Sequence, residues 1–137
     1  MQVQPYLFFE GRCEEALAFY REKLGAEILV MMRHRENPEP PEQSMTAPGS
    51  EDKIMHAAFR IGGAEILASD GRCRNAPEFK GFSLTLSVAS EDEARKCFQG
   101  LSEGGQAIMP LGRTFFATAF GMVQDRFGVS WMVMAAP

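Results

Sequence analysis

Two histidines occur in the chain, and His56 is the one placed where an imidazole could do chemistry. It belongs to the alternating stretch Ile54–Ile61. Ile54, His56, Ala58 and Arg60 share one face of it, and Met55, Ala57, Phe59 and Ile61 the other. The His56 imidazole could act as a general base or as a hydrogen-bond donor. The competing reading is a histidine held by a neighbouring strand or by Asp70. Arg60 could clamp an anion with its planar fork, or end its strand in solvent. Glu65 adds a carboxylate on the following stretch. Asp70 precedes Gly71, where a short acidic side chain commonly organises a turn. No spacing fixes a second catalytic group beside His56.

A second set of polar side chains comes later. Ser83, Thr85 and Ser87 alternate with Phe82, Leu84, Leu86 and Val88, giving an apolar face and a hydroxyl face. The hydroxyl row reads either as the polar floor of a site or as the solvent side of a sheet. Met132 and Met134 alternate in the last apolar stretch. The nine methionines suit an adaptable pocket, an interface or plain core filling.

The elements that must position these groups follow from periodicity. A strand is expected over 3–9. Cys13, Ala16, Leu17, Tyr20 and Leu24 recur at helical spacing, with Glu14 and Glu15 in the first turn and Gly25 as the left-handed stop. A strand over 26–35 precedes the stretch 36–53. That stretch holds Pro38, Pro40, Pro41 and Pro48, too many for a hydrogen-bonded ladder. It reads as a long loop, either a surface excursion or a lid. Strands over 54–61 and 64–69 flank the turn Gly62-Gly63, and 70–80 is a connector. The strand over 82–88 leads to Ser90 and Glu93, a helix-capping pair. Ala94, Cys97, Phe98 and Leu101 form the next buried stripe, ended by Gly104-Gly105. Strands over 106–109, 115–124 and 129–134 follow, with turns at 110–112 and 125–128.

Composition narrows the classes of function. At 137 residues, 45% hydrophobic and 23% charged, the chain is long enough to bury a core without metal or disulfide support. A net charge of -4 without a basic run argues against nucleic acid or an anionic membrane as partner. No apolar run is long enough to span a bilayer, and the start, Met1-Gln2-Val3-Gln4-Pro5, does not resemble a secretory signal. Cys13, Cys73 and Cys97 are odd in number and far apart, so free thiols in a reducing cytoplasm are expected. Cys13 and Cys97 lie on helix stripes, which leaves Cys73 as the accessible one. Arg33-His34-Arg35 reads as a solvated strand end. Tyr20, Phe98 and Trp131 read as core.

Each half therefore runs strand–helix–strand–strand–strand. Glu15-Ala16 recurs as Glu93-Ala94 and Tyr20 as Phe98 at the same offset. Gly63 recurs as Gly128 at a shorter one, because the proline-rich loop exists only in the first half.

With these stretches in this order, the chain resembles the vicinal oxygen chelate superfamily, which includes glyoxalase I, bleomycin-resistance proteins and extradiol dioxygenases. Within it the PhnB-like branch is the most similar. The stretches are Pro5-Tyr6-Leu7-Phe8-Phe9, Glu14-Glu15-Ala16-Leu17, Phe19-Tyr20, Leu24-Gly25-Ala26-Glu27, Ile54-Met55-His56-Ala57 before Gly62-Gly63, Ala68-Ser69-Asp70, Gly121, and Asp125-Arg126-Phe127-Gly128-Val129 with Trp131. The resemblance implies an α+β (α/β) chain of two tandem βαβββ modules in one domain, the first over about 1–70 and the second over about 81–137. It implies curved sheets with helices outside and a cavity inside, and a homodimer, in keeping with the need of open sheet edges for a partner.

In metal-dependent relatives the first and last strand of each module supply the ligands. The resemblance maps those positions onto Pro5, Leu67, Ser83 and Met132. Divalent ions of that kind take His and carboxylate, so no metal is expected here. No cofactor is expected either, since no glycine-rich loop suited to a nucleotide-type methyl donor is present. If the apolar strand faces meet the helices, the cavity side holds His56, Arg60, Glu65, Leu67, Ser69, Ser83, Thr85, Ser87, Met132 and Met134. A small-molecule-binding protein of unassigned activity is the leading expectation. The alternatives are a metal-dependent or histidine-based lyase, isomerase or dioxygenase with non-standard ligands, using His56 and Glu65, and a structural or regulatory dimer with a vestigial pocket.

Overall fold

The computed structural model describes residues 1–38 and 49–137. The chain divides into two compact units, Met1–Glu78 and Phe79–Pro137.

The first unit holds β1 (Tyr6–Phe8), α1 (Cys13–Leu24), β2 (Glu27–Arg33), β3 (Ile54–Ile61) and β4 (Ala64–Ser69), with a short 3-10 turn over His34–Glu36. The strands form one sheet in the order β1-β4-β3-β2. β1 runs parallel to β4, and the other neighbours are antiparallel. The glutamates Glu14 and Glu15 occupy the first turn of α1, and Gly25 closes it at φ 71°. The core beneath α1 is aromatic. Tyr20 is fully buried and stacks on Phe59 at 5.8 Å between ring centroids, with Phe9 at 6.2 Å and Phe19 at 5.8 Å. Each such ring contributes up to about 3 kcal/mol through burial.

The second unit repeats the plan with β5 (Leu84–Val88), α2 (Glu91–Ser102), β6 (Gln106–Gly112), β7 (Ala119–Gln124) and β8 (Ser130–Ala135), in the order β5-β8-β7-β6. Ser90 caps α2 by accepting the Glu93 N–H at 3.1 Å, while the Glu93 carboxylate accepts the Ala89 N–H at 3.3 Å. Trp131, Val133 and Ala135 alternate with Ser130, Met132 and Met134 along β8, and only the first set is buried. The two-module α+β architecture expected from the sequence is present.

Several local expectations need correction. The first strand is Tyr6–Phe8 rather than 3–9. The turn placed at 110–112 is strand: β6 continues through Pro110 to Gly112, with register slips against β7 between Ala107 and Met109 and between Met109 and Gly112. An edge strand tolerates proline at such an irregularity because no outer neighbour needs its N–H. Residues 115–118 are loop, not strand. The Thr114 hydroxyl accepts the N–H groups of Phe116 and Ala117, and the Thr114 N–H donates to the Ala117 carbonyl, which closes a tight turn. Cys73 is 6% exposed, and Cys97, half-buried, is the more accessible thiol. Arg33 is no loose strand end. Its guanidinium holds Glu14 at 2.7 Å and the Asp52 carbonyl at 2.7 Å. The central part of the expected loop or lid, 39–48, lies outside the described residues.

Candidate functional site

In each unit the helix covers one sheet face, and strand register decides what shares the other. In the first unit Tyr6 lies opposite Leu67, which lies opposite Ala58, which lies opposite Val30. Phe8 lies opposite Ser69, and His56 opposite Met32. Alternation therefore gathers Tyr6, Phe8, His56, Arg60, Glu65, Leu67 and Ser69 on the face away from Phe59 and Ala57. The sequence-expected members do share a face. Tyr6 and Phe8 are additions, 37% and 53% exposed.

His56 is half-buried, and its Nδ1 lies 3.3 Å from the Tyr6 hydroxyl. The rings stand 5.9 Å apart, and Tyr6 packs on Phe8 at 4.8 Å. The phenol donates to Nδ1 when that nitrogen carries no proton, which leaves Nε2 as the protonated edge. The pair presents an imidazole and two aromatic faces, a surface suited to a planar or apolar group with a polar substituent. Arg60 does not stand alone as an anion clamp: it pairs with Glu27 across the strand at 3.2 Å, an exposed contact. Glu65 faces Arg60 in register on the other side.

Asp70 does not hold His56. Both its oxygens are taken by backbone. Oδ1 accepts the N–H groups of Gly11 at 2.9 Å and Cys13 at 2.7 Å, and Oδ2 accepts that of Ile54 at 2.7 Å. The carboxylate caps α1 from the far end of β4, since Arg12 at the N-cap gives no side-chain cap. The Ser69 hydroxyl is turned to the Gly71 N–H at 3.0 Å.

In the second unit Thr85 lies opposite Met132, and Ser87 opposite Met134. Both hydroxyl residues are exposed and both methionines half-buried. β7 adds Met122 beside Met132 and Phe120 beside Met134, and β6 adds Met109 beside Met122. A row of three methionines ending in Thr85 thus crosses the sheet, with Phe120, Met134 and Ser87 next to it. Ser83 is drawn to Ser130, oxygen to oxygen 2.7 Å.

The positions that hold metal in relatives do not fit one here. The Leu67 N–H donates to the Pro5 carbonyl at 3.0 Å, so that pair is adjacent but offers alkyl side chains. Ser83 is engaged with Ser130, and Met132 offers a soft thioether to a site that wants imidazole or carboxylate. Among the described residues no three His, Cys, Asp or Glu side chains gather as a metal site. No helix there is long and apolar enough to cross a membrane.

Residues 1–134 match the family model described as 3-demethylubiquinone-9 3-methyltransferase. Protein YjdN of Escherichia coli K12 is 36% identical over 97% of this chain and 94% of its own length. Among solved structures, protein PA1353 of Pseudomonas aeruginosa is 42% identical with a TM-score of 0.85, covering 99% of this chain and 98% of that one. The PhnB protein of Bacillus cereus is 30% identical with a TM-score of 0.79, covering 99% and 100%. A glyoxylase/bleomycin resistance protein/dioxygenase domain from Frankia shares the fold at 17% identity and a TM-score of 0.66, over 99% and 95%. The paired modules are those of the vicinal oxygen chelate superfamily. Within it, the chain belongs to the PhnB-like family whose model it matches almost end to end.

Proposed function

We propose that this protein is a small-molecule-binding homodimer that works without a metal at the superfamily's ligand positions, in a reducing cytoplasm that keeps its three cysteines free. The observation that carries the reading is the composition of the two uncovered sheet faces. Each sets a few polar groups among aromatic or thioether side chains: His56, Tyr6 and Glu65 in one unit, Thr85 and Ser87 beside Met132 and Met134 in the other. Small-molecule sites have that make-up, and methionine adapts its shape to varied ligands. Exposed Phe8 and Met109 give a second copy apolar surface to cover.

The test is a melting-temperature screen of the purified protein against a metabolite panel, with sedimentation to give the oligomeric state. A ligand at about a hundred times its Kd adds roughly 2.7 kcal/mol, which for this chain length is a rise of roughly 9 °C. Leu67→Arg and Met132→Arg place a charge on the two faces, and each should abolish the rise if its face is used. A monomer at micromolar concentration, or no shift across the panel, overturns the reading. So does a stoichiometric tightly bound divalent metal that is lost in His56→Ala.

A further inference from the structure

A pocket of about 390 Å³ opens on the helix-covered side of the second unit, and none of the sequence-expected site residues lines it. One glycine of the sheet, Gly121, makes room for its wall. A Cβ on Gly121 would come within 2.8 Å of Phe98 Cε2 and 3.0 Å of Leu111 Cα, so the bare backbone there lets both side chains seat as the apolar wall. Gly112 contributes backbone only: it lies opposite Phe120 in register, so a side chain there would project to the uncovered face, away from the pocket.

The rim is held in place. The Thr114 turn brings Arg113 and Thr118 together at the two ends of the β6–β7 loop. Thr118 is tied down through its N–H and its hydroxyl, both donating to the Ala135 carbonyl at 3.0 and 3.3 Å.

The charges are unevenly matched. Arg95 reaches into the lining but is held by Asp92 at 2.8 Å and Glu91 at 3.5 Å along its own helix. Arg113, exposed at the rim, makes no hydrogen bond or ion pair among the described residues. Arg95 is thus matched by the two carboxylates of its own helix, and Arg113 is the guanidinium at the rim with its fork unpaired among the described residues. Its fork fits a carboxylate with two parallel hydrogen bonds, while Phe98 and Leu111 offer an apolar wall for a ring.

We infer that this pocket binds a small monocarboxylate with a compact, ring-like apolar body, oriented by Arg113. The inference stands apart from the proposed use of the uncovered sheet faces, and either can fail alone.

Benzoate is the probe and benzamide its uncharged counterpart, followed by amide chemical shifts of the full chain. Saturable shifts with benzoate are expected at residues 98, 111–113 and 118, with benzamide much weaker. Arg113→Gln should weaken benzoate by about tenfold or more, the usual loss for a charged hydrogen-bonded partner. Arg113→Lys should recover part of that. The inference is overturned if benzoate gives no saturable shift or if benzamide binds equally well. It is overturned too if Arg113→Gln changes nothing, or if the shifts fall instead on Tyr6, His56, Thr85 or Met132.

Discussion

Asp70 gathers backbone N–H groups from two stretches of chain far apart in sequence, at 1% exposure. Asp70→Ala strands three donors, two of them in buried contacts, and should cost about 2–5 kcal/mol in urea unfolding, since each orphaned buried group costs about 1–3. Asp70→Asn should cost less but remain clearly destabilising, because an amide NH₂ replaces one acceptor. Thiol reactivity gives a second check at this scale. Burial pushes all three thiols up, Cys13 most, with Asp70 and Glu14 adding to it. A disulfide reagent should label Cys97 first in native protein, and labelling of Cys73 before Cys97 would contradict the burial described. Glu14 supplies a pH test. Its hydrogen bond to Arg33 holds its carboxyl below the usual 4.5, against a smaller opposing effect of burial. The folded form therefore resists protonation more than the unfolded chain does. Its stabilisation is full above pH 4.5 and is lost as pH falls through the depressed value. Glu14→Gln should flatten the acid limb of the stability curve, slightly, since the pair is largely exposed.

At the scale of elements, Gly121 shows how closely α2 and β6 meet β7. Gly121→Val should cost about 1–3 kcal/mol by overpacking against Phe98 and Leu111, measured by urea unfolding with wild-type α2 helicity as reference. Strands and helices with a clean apolar alternation were legible from the residues alone. Ile54–Ile61, the strand expected over 82–88 and found as Leu84–Val88, and the Ser90–Glu93 start of α2 are examples. Pro110 was not, because its tolerance depends on β6 being an edge, a fact of sheet order. The Phe115–Thr118 segment misled because aromatic residues mimic a strand until the Thr114 hydroxyl is seen closing a turn. The same limit applied to the site. Alternation places His56, Arg60, Glu65 and Leu67 on one face, but only register brings Tyr6 beside Leu67 or Met122 beside Met132. The Glu27 partner that occupies Arg60 was likewise invisible, and so was the pocket at Gly112, which no periodicity marks.

Across the whole molecule the same strand order appears twice, so protection from hydrogen exchange should follow position in the sheet rather than position in the chain. Amides of β3, β4, β7 and β8, paired on both sides, should exchange slowest. Those of β2 and β6, both edges with slipped registers, should exchange fastest. Mass-spectrometric exchange would decide it, and β6 as protected as β8 would count against the sheet order. The parallel pairing of β1 with β4 also bears on synthesis. Residues 6–8 have no ladder to join, and the start of α1 has no carboxylate to anchor it, until the ribosome has delivered the chain as far as Asp70. During that interval the nascent segment carries Phe9 and Tyr20, both fully buried once folded, uncovered.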